Sequence, residues 1–113
     1  GNAERNIKSE ALKELLHDYH LAANEIVYVG DALSDITECR KANVMCLSAA
    51  WSIPQNEVTA LENSNPKNVF YSISSLFKYK NMIVLFTVNF INSIKTEQYE
   101  TENLPKLWHV YAH

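Results

Sequence analysis

The chain runs as blocks of apolar positions whose period changes. In Ser9 to His20, SEALKELLHDYH, the residues Leu12, Leu15, Leu16 and Tyr19 recur at intervals of three and four. That spacing puts them on one face of a helix. Ser9 is suited to accept from the free N–H groups of the first turn, and Glu10 suits its positive end. Residues 26–29, IVYV, form an unbroken apolar run with β-branched side chains and are followed at once by glycine, which predicts a strand covered on both faces. Residues 34–42, SDITECRKA, predict a helix with Ser34 or Asp35 as cap and Ile36 and Cys39 on its inner side. Asn43 then stands where a left-handed residue ends a helix. A second strand is expected at 44–48, VMCLS, a modest helix at 56–62, and a break in ENSNPKN. An edge strand follows at 69–71, VFY, and Ser74 or Ser75 opens a short helix through Leu76 and Phe77.

Helices alternating with short apolar strands predict an α/β fold, an open parallel sheet flanked by helices with strands near 26–29, 44–48 and 69–71. After Tyr79 the pattern blurs. Ile83, Phe86, Phe90 and Ile94 share one helical face, whereas Val84 and Val88 favour a strand; a helix is the expectation. The tail KTEQYETENLPKLWHVYAH mixes polar and aromatic residues and is expected to order only against a partner or the rest of a larger fold, if at all. This divides the chain into 8–80, which carries the α/β pattern, and 81–113, a helical or irregular extension.

With 113 residues, 47% of them apolar, the chain has the length and composition of one globular domain. A formal charge of −3 offers no electrostatic footprint for nucleic acid and no polybasic patch for anionic lipid. The longest apolar stretch, Met82 to Ile91, is shorter than the ~20 residues of a spanning helix, so no membrane partner is expected. Two cysteines, Cys39 and Cys46, lie seven apart with no CxxC, which points to a reducing, cytoplasmic compartment and to small buried hydrophobes rather than a redox pair.

The segment with chemical content is Val27-Tyr28-Val29-Gly30-Asp31, then Ala32-Leu33-Ser34-Asp35. A buried strand ends in Gly-Asp and a second Asp follows four residues on. Strand C-termini are where ligands bind in such sheets. Gly30, lacking a Cβ, lets the chain turn sharply and a ligand approach. Two carboxylates in one space make a hard, oxygen-rich site of the kind Mg²⁺ takes with waters and phosphate. The same residues serve equally as a turn and a helix cap, and spacing alone does not separate the two.

Around these residues the sequence resembles the haloacid dehalogenase-like hydrolase superfamily, particularly its phosphatases. The match runs from the helix Glu10 to Tyr19 through EIVYVGDALSDITECRKANVMCLSAAWS, Glu25 to Ser52, and on to about residue 79. Gly30, Asp31 and Asp35 match its Gly-Asp motif, while Asn43 replaces the usual glycine of the turn. The resemblance implies the C-terminal part of a Rossmann-like core. It implies Mg²⁺ on Asp31, with Asp35 holding the metal's waters, and Lys8 pairing with the phosphoryl group and the nucleophile. Lys8 lacks the prolines many relatives carry beside that lysine, and Lys13, the weaker alternative, falls inside the helix. The family's nucleophile, the first Asp of a DxD at a strand end, has no counterpart here, nor is there a convincing Ser/Thr phosphate-binding strand end. The expectation is therefore a fragment of a magnesium-dependent phosphohydrolase for phosphorylated small molecules, inactive alone. It would associate with itself or dock on a missing N-terminal half. The alternative is a non-catalytic α/β interaction module that keeps the Gly-Asp architecture.

The other polar groups carry less. His17 and His20 are three apart on a helix without a third ligand, and His109 and His113 lie in the tail. Trp51 is placed to line a site rim, and Trp108 and Tyr111 to anchor a contact with another chain or segment. The sequence has neither GxSxG, GxGxxG nor a Gly-rich phosphate loop.

Overall fold

The computed structural model describes residues 7–111. Among these residues five parallel strands form one sheet in the order β3-β2-β1-β4-β5. They are β1 (Ile26–Gly30), β2 (Met45–Ala49), β3 (Val69–Phe70), β4 (Ile83–Phe86) and β5 (Trp108–Val110). The helices are α1 (Ser9–Asp18), α2 (Leu33–Lys41), α3 (Gln55–Ser64) and α4 (Val88–Thr96), with a 3₁₀ segment at Ile73–Tyr79. The architecture is an open Rossmann-like α/β sheet, as the alternation of helix and strand predicts.

Side-chain alternation splits the core into two layers, because successive strand residues point to opposite faces. Val27, Val29, Leu47, Val84, Phe86 and Trp108 pack against Leu76 of the 3₁₀ segment and Phe90 and Ile94 of α4. Ile26, Tyr28, Cys46 and Leu85 face the other way, onto Leu12 of α1, Ile36 and Cys39 of α2 and Leu61 of α3. In register, Val27 stands beside Met45 on one side and Val84 on the other, so β1 is the central strand with both edges paired. The chain builds outward from β1 to β2 and β3, then returns to β4 and β5 on the opposite side. The covering elements change faces with that reversal, as right-handed parallel connections require.

Two expectations for the second part of the chain are corrected. The stretch 82–94 is not one helix: Ile83–Phe86 is a strand and only Val88–Thr96 is helical. The helical stripe it suggested is consequently divided. Phe86, Phe90 and Ile94 lie in the chain's own core and Ile83 on the opposite face. Likewise the tail as far as Tyr111 is ordered within the chain, since Trp108–Val110 extends the sheet beside β4. Trp108 is 6% exposed and its Nε1–H donates to the Tyr79 carbonyl at 3.2 Å, so it anchors this fold rather than a contact with another chain. The N-cap assignments shift slightly: Lys8 and Ala32, not Ser9 and Ser34 or Asp35, hold the N-cap positions of α1 and α2.

The chain contains two glycines, so helix ends that usually take glycine use other residues. Asn43 has φ 59° after α2, His20 φ 55° after α1 and Gln98 φ 59° after α4. Each closes the same pair of bonds. After α2, the Val44 N–H donates to Cys39 O at 2.9 Å and the Asn43 N–H to Arg40 O at 3.2 Å, the Schellman arrangement. Asn43 is the residue expected there; His20 and Gln98 tolerate the left-handed backbone less well. Replacing exposed His20 with glycine is expected to raise stability by about 1 kcal/mol. Urea denaturation measures this, and an unchanged or lowered midpoint contradicts it.

Candidate functional site

The change of winding direction falls between β1 and β4, and the C-terminal ends of those strands meet there. Ligands bind at such switch points in open α/β sheets, in the crevice beyond the strand ends. Here β1 delivers Gly30 and Asp31, the first turn of α2 delivers Asp35, and the β4–α4 junction delivers Thr87 and Asn89. These residues, with Ser93, give the polar lining of a small cavity whose apolar wall includes Val29, Ala49 and Phe90. Its volume is about 10 Å³, the space of roughly one water molecule.

Gly30 is needed for space rather than for an unusual backbone angle. A Cβ at this position would stand 2.6 Å from the Asp35 Cβ and overlap its carboxylate. The group that comes close to Gly30 is thus the chain's own Asp35 side chain. Asp35 is 2% exposed. Its Oδ2 accepts from the N–H of Asp31 at 3.0 Å and of Ala32 at 3.1 Å, so one oxygen ties the strand end to the helix start. The other oxygen, Oδ1, is buried and has no hydrogen-bond partner. Burial raises the Asp35 pKa to about 6, the two amides partly offset that, and the charge of nearby Asp31 adds to it.

Asp31 is half-buried and projects beside Asp35. Burial raises its pKa as well, and the Glu57 carboxylate of α3 pushes in the same direction. Tyr28, one residue deeper in β1 than Val29, is 1% exposed. Its phenol pKa is pushed up, first by burial and then by the Asp35 charge, with the Thr87 side chain opposing.

Of the residues the sequence singles out, Asp31 and Asp35 come together. Lys8 is exposed at the start of α1 and is not among the residues lining the cavity. Trp51 packs edge-on against Phe90, ring centroids 6.1 Å apart, outside that lining. Cys39 and Cys46 are free and buried in the core layer between α2 and the sheet, as small hydrophobes. His17 and His109 are exposed, and His113 lies outside the described residues. Among the described residues no group of three or more His, Cys, Asp or Glu is placed to hold a metal, and no helix is long and apolar enough to cross a membrane.

Thr87, Asn89 and Ser93 were not anticipated. The signal for them was the polar break Thr87-Val88-Asn89 after Ile83–Phe86, which marks a strand end only when 83–86 is read as a strand. Those residues, together with Ala49 and Ala50 at the end of β2, occupy the strand ends on either side of Asp31, and none of them is a carboxylate.

No family model, no curated protein and no solved structure matches the chain. What the fold establishes is a Rossmannoid α/β sheet flanked by helices.

Two measurements test the account of this junction. Gly30→Ala should cost about 3 kcal/mol by overpacking, and less when Asp35→Ala removes the side chain it strikes. Additive losses in the double-mutant cycle would show that Gly30 and Asp35 are not coupled. The pH dependence has a definite sign. A carboxylate whose folded pKa is raised contributes stability that is complete below its unfolded pKa, near 4, and lost as pH rises through the folded value of about 6. For Asp35 that loss is about 3 kcal/mol. Asp35→Asn should therefore flatten the decline in thermal stability between pH 4 and about 7; an identical profile in the variant would count against a buried, uphill carboxylate.

Proposed function

We propose that this chain is a non-catalytic α/β interaction module in which the Gly-Asp strand end is a folding device. The observation that carries this is the Asp35 carboxylate. It fills the space over Gly30, binds the amides of Asp31 and Ala32, and leaves a cavity of about 10 Å³ beside it. A phosphoryl group with its cation needs more room than one water, together with an attacking nucleophile. The strand ends flanking Asp31 carry alanine, threonine and asparagine, and β1 has no free edge at which a further strand could bring a carboxylate alongside.

A second reading rests on the resemblance to haloacid dehalogenase-like phosphatases. In it the chain is part of a magnesium-dependent phosphohydrolase for phosphorylated small molecules. Asp31 binds Mg²⁺, Asp35 holds the metal's waters and Lys8 meets the phosphate. One observation favours it: Asp35 Oδ1 is a buried oxygen without a partner, and oxygen is the donor Mg²⁺ prefers. The donors are of the right kind but too few. Two carboxylates and the neutral oxygens of Thr87 and Asn89 fall short of a site that holds metal and phosphate, and a nucleophilic carboxylate would have to come from another polypeptide segment.

The purified chain, assayed with p-nitrophenyl phosphate and excess Mg²⁺ beside its Asp31→Ala form, should give background rates in both. Phosphate monoesters hydrolyse so slowly unaided that any true site would stand out. Turnover that Asp31→Ala abolishes would replace the interaction-module reading with the second.

A further inference from the structure

The sheet is covered unevenly. A parallel sheet is normally buried on both faces, since strands without cover leave apolar side chains to water. On the face that carries Val84, Phe86 and Trp108, α4 and the 3₁₀ segment provide that cover. On the opposite face α1, α2 and α3 pack with β1 and β2 and bury Leu85 of β4, and no described helix lies over β5. The result is a groove of about 820 Å³ between α1 and the last two strands. Leu85 and half-buried Ile83 form its floor, and Ala11, Leu15 and Leu21 its wall. At its mouth Tyr19 is 70% exposed, and His109, in register with Leu85, is the β5 side chain on this face.

We propose that this groove is the docking site of an amphipathic helix from another polypeptide, one that carries Lys or Arg along the flank of its apolar stripe. This names the partner of the interaction module and rests on that reading. Three features specify the occupant. The layer that is missing over β5 is the one that α1, α2 and α3 supply over the other strands on this face. The void has the right scale: two to three turns of helix occupy a cylinder ~10 Å wide and ~15 Å long, ~1200 Å³, of which a groove takes the inner part. The charge is one-sided. Glu14 and Asp18 stand on the α1 ridge beside the wall, His109 lies across from them on β5, and among the described residues the groove lining includes no Lys or Arg. A helix with an acidic flank would meet two like charges, whereas a basic flank is steered in and paired. Docking of this type reads an apolar stripe at i, i+3, i+4 and i+7.

The test uses a designed helical peptide of about 18 residues, with leucines in that spacing and lysines on both flanks, and a twin in which every lysine is glutamate. Fluorescence anisotropy of the labelled peptides against the full chain should give a Kd on the order of 10 µM for the lysine form and weaker binding by about tenfold for the glutamate form. The exposed substitutions Glu14→Lys and Asp18→Lys together should reverse that preference, and ¹³C-methyl shifts on binding should centre on Ile83, Leu85 and Leu15. No binding by either peptide, equal binding by both, an unreversed preference in the charge-swapped chain, or shifts centred elsewhere would each overturn the proposal. So would a stable dimer in sedimentation that Glu14→Lys and Asp18→Lys dissociate, because the occupant would then be a second copy. Phosphatase turnover dependent on Asp31 would instead overturn the interaction-module reading, and it leaves the peptide isotherms unchanged, so the two failures are separable.

Discussion

The junction between β1 and α2 depends on one carboxylate. Asp35 is sunk at the start of α2 with its Oδ2 on two successive amides, those of Asp31 and Ala32. Hydrogen bonds from backbone amides to a charged oxygen are among the stronger ones a protein makes, and the positive end of a helix favours the same charge. Against this stands the cost of burying a carboxylate with one oxygen unpaired. The raised pKa records the outcome: desolvation outweighs the amides. The carboxylate ties the end of β1 to the start of α2. It sets the angle at which the chain leaves the central strand, and so the placement of α2 on the sheet. It also explains Gly30, since any larger residue would displace the carboxylate.

A fixed β1–α2 unit dictates where chemistry can occur. The strand end of β1 lies at the switch point of the sheet, the position where α/β folds open a crevice for ligands. In this chain the crevice is nearly closed from within, by Asp35 from one side and by Thr87, Asn89 and Ser93 from the other. A larger groove lies elsewhere, between α1 and the β4–β5 edge of the sheet, with apolar walls and an acidic ridge.

The first three strands and the helices between them were legible in the sequence because their signals are local. IVYV followed by glycine, the three-and-four spacing of Leu12, Leu15, Leu16 and Tyr19, and Asn43 at a helix end each report on a few adjacent residues. The pairing of Asp31 with Asp35 was legible for the same reason, as the two are one helical turn apart. Ile83–Phe86 was not, because four apolar residues next to a second apolar segment satisfy a helical and a strand period equally. The short run is a strand because it pairs with Ile26–Val29, more than fifty positions away, and no local pattern carries that information. Trp108–Val110 is a stronger case. Among the described residues its regular partner is β4, so its order follows from a strand that was itself unreadable.

The sequence by itself determined the fold class, the strand Ile26–Gly30, the loop that ends it and the identity of the two carboxylates, since period, turn chemistry and spacing are properties of neighbours along the chain. Only the tertiary structure decided what those carboxylates face. Whether Gly30 admits a ligand or Asp35 depends on where the α2 side chain lands. Whether Asp31 gains a nucleophilic neighbour depends on which strand pairs with β1 on the side away from β2, and β4 takes that side with Thr87 and Asn89 at its end. Both outcomes are set by contacts between segments distant in sequence or by rotamers within a packed core, where the free energy of burial and not local propensity selects the arrangement.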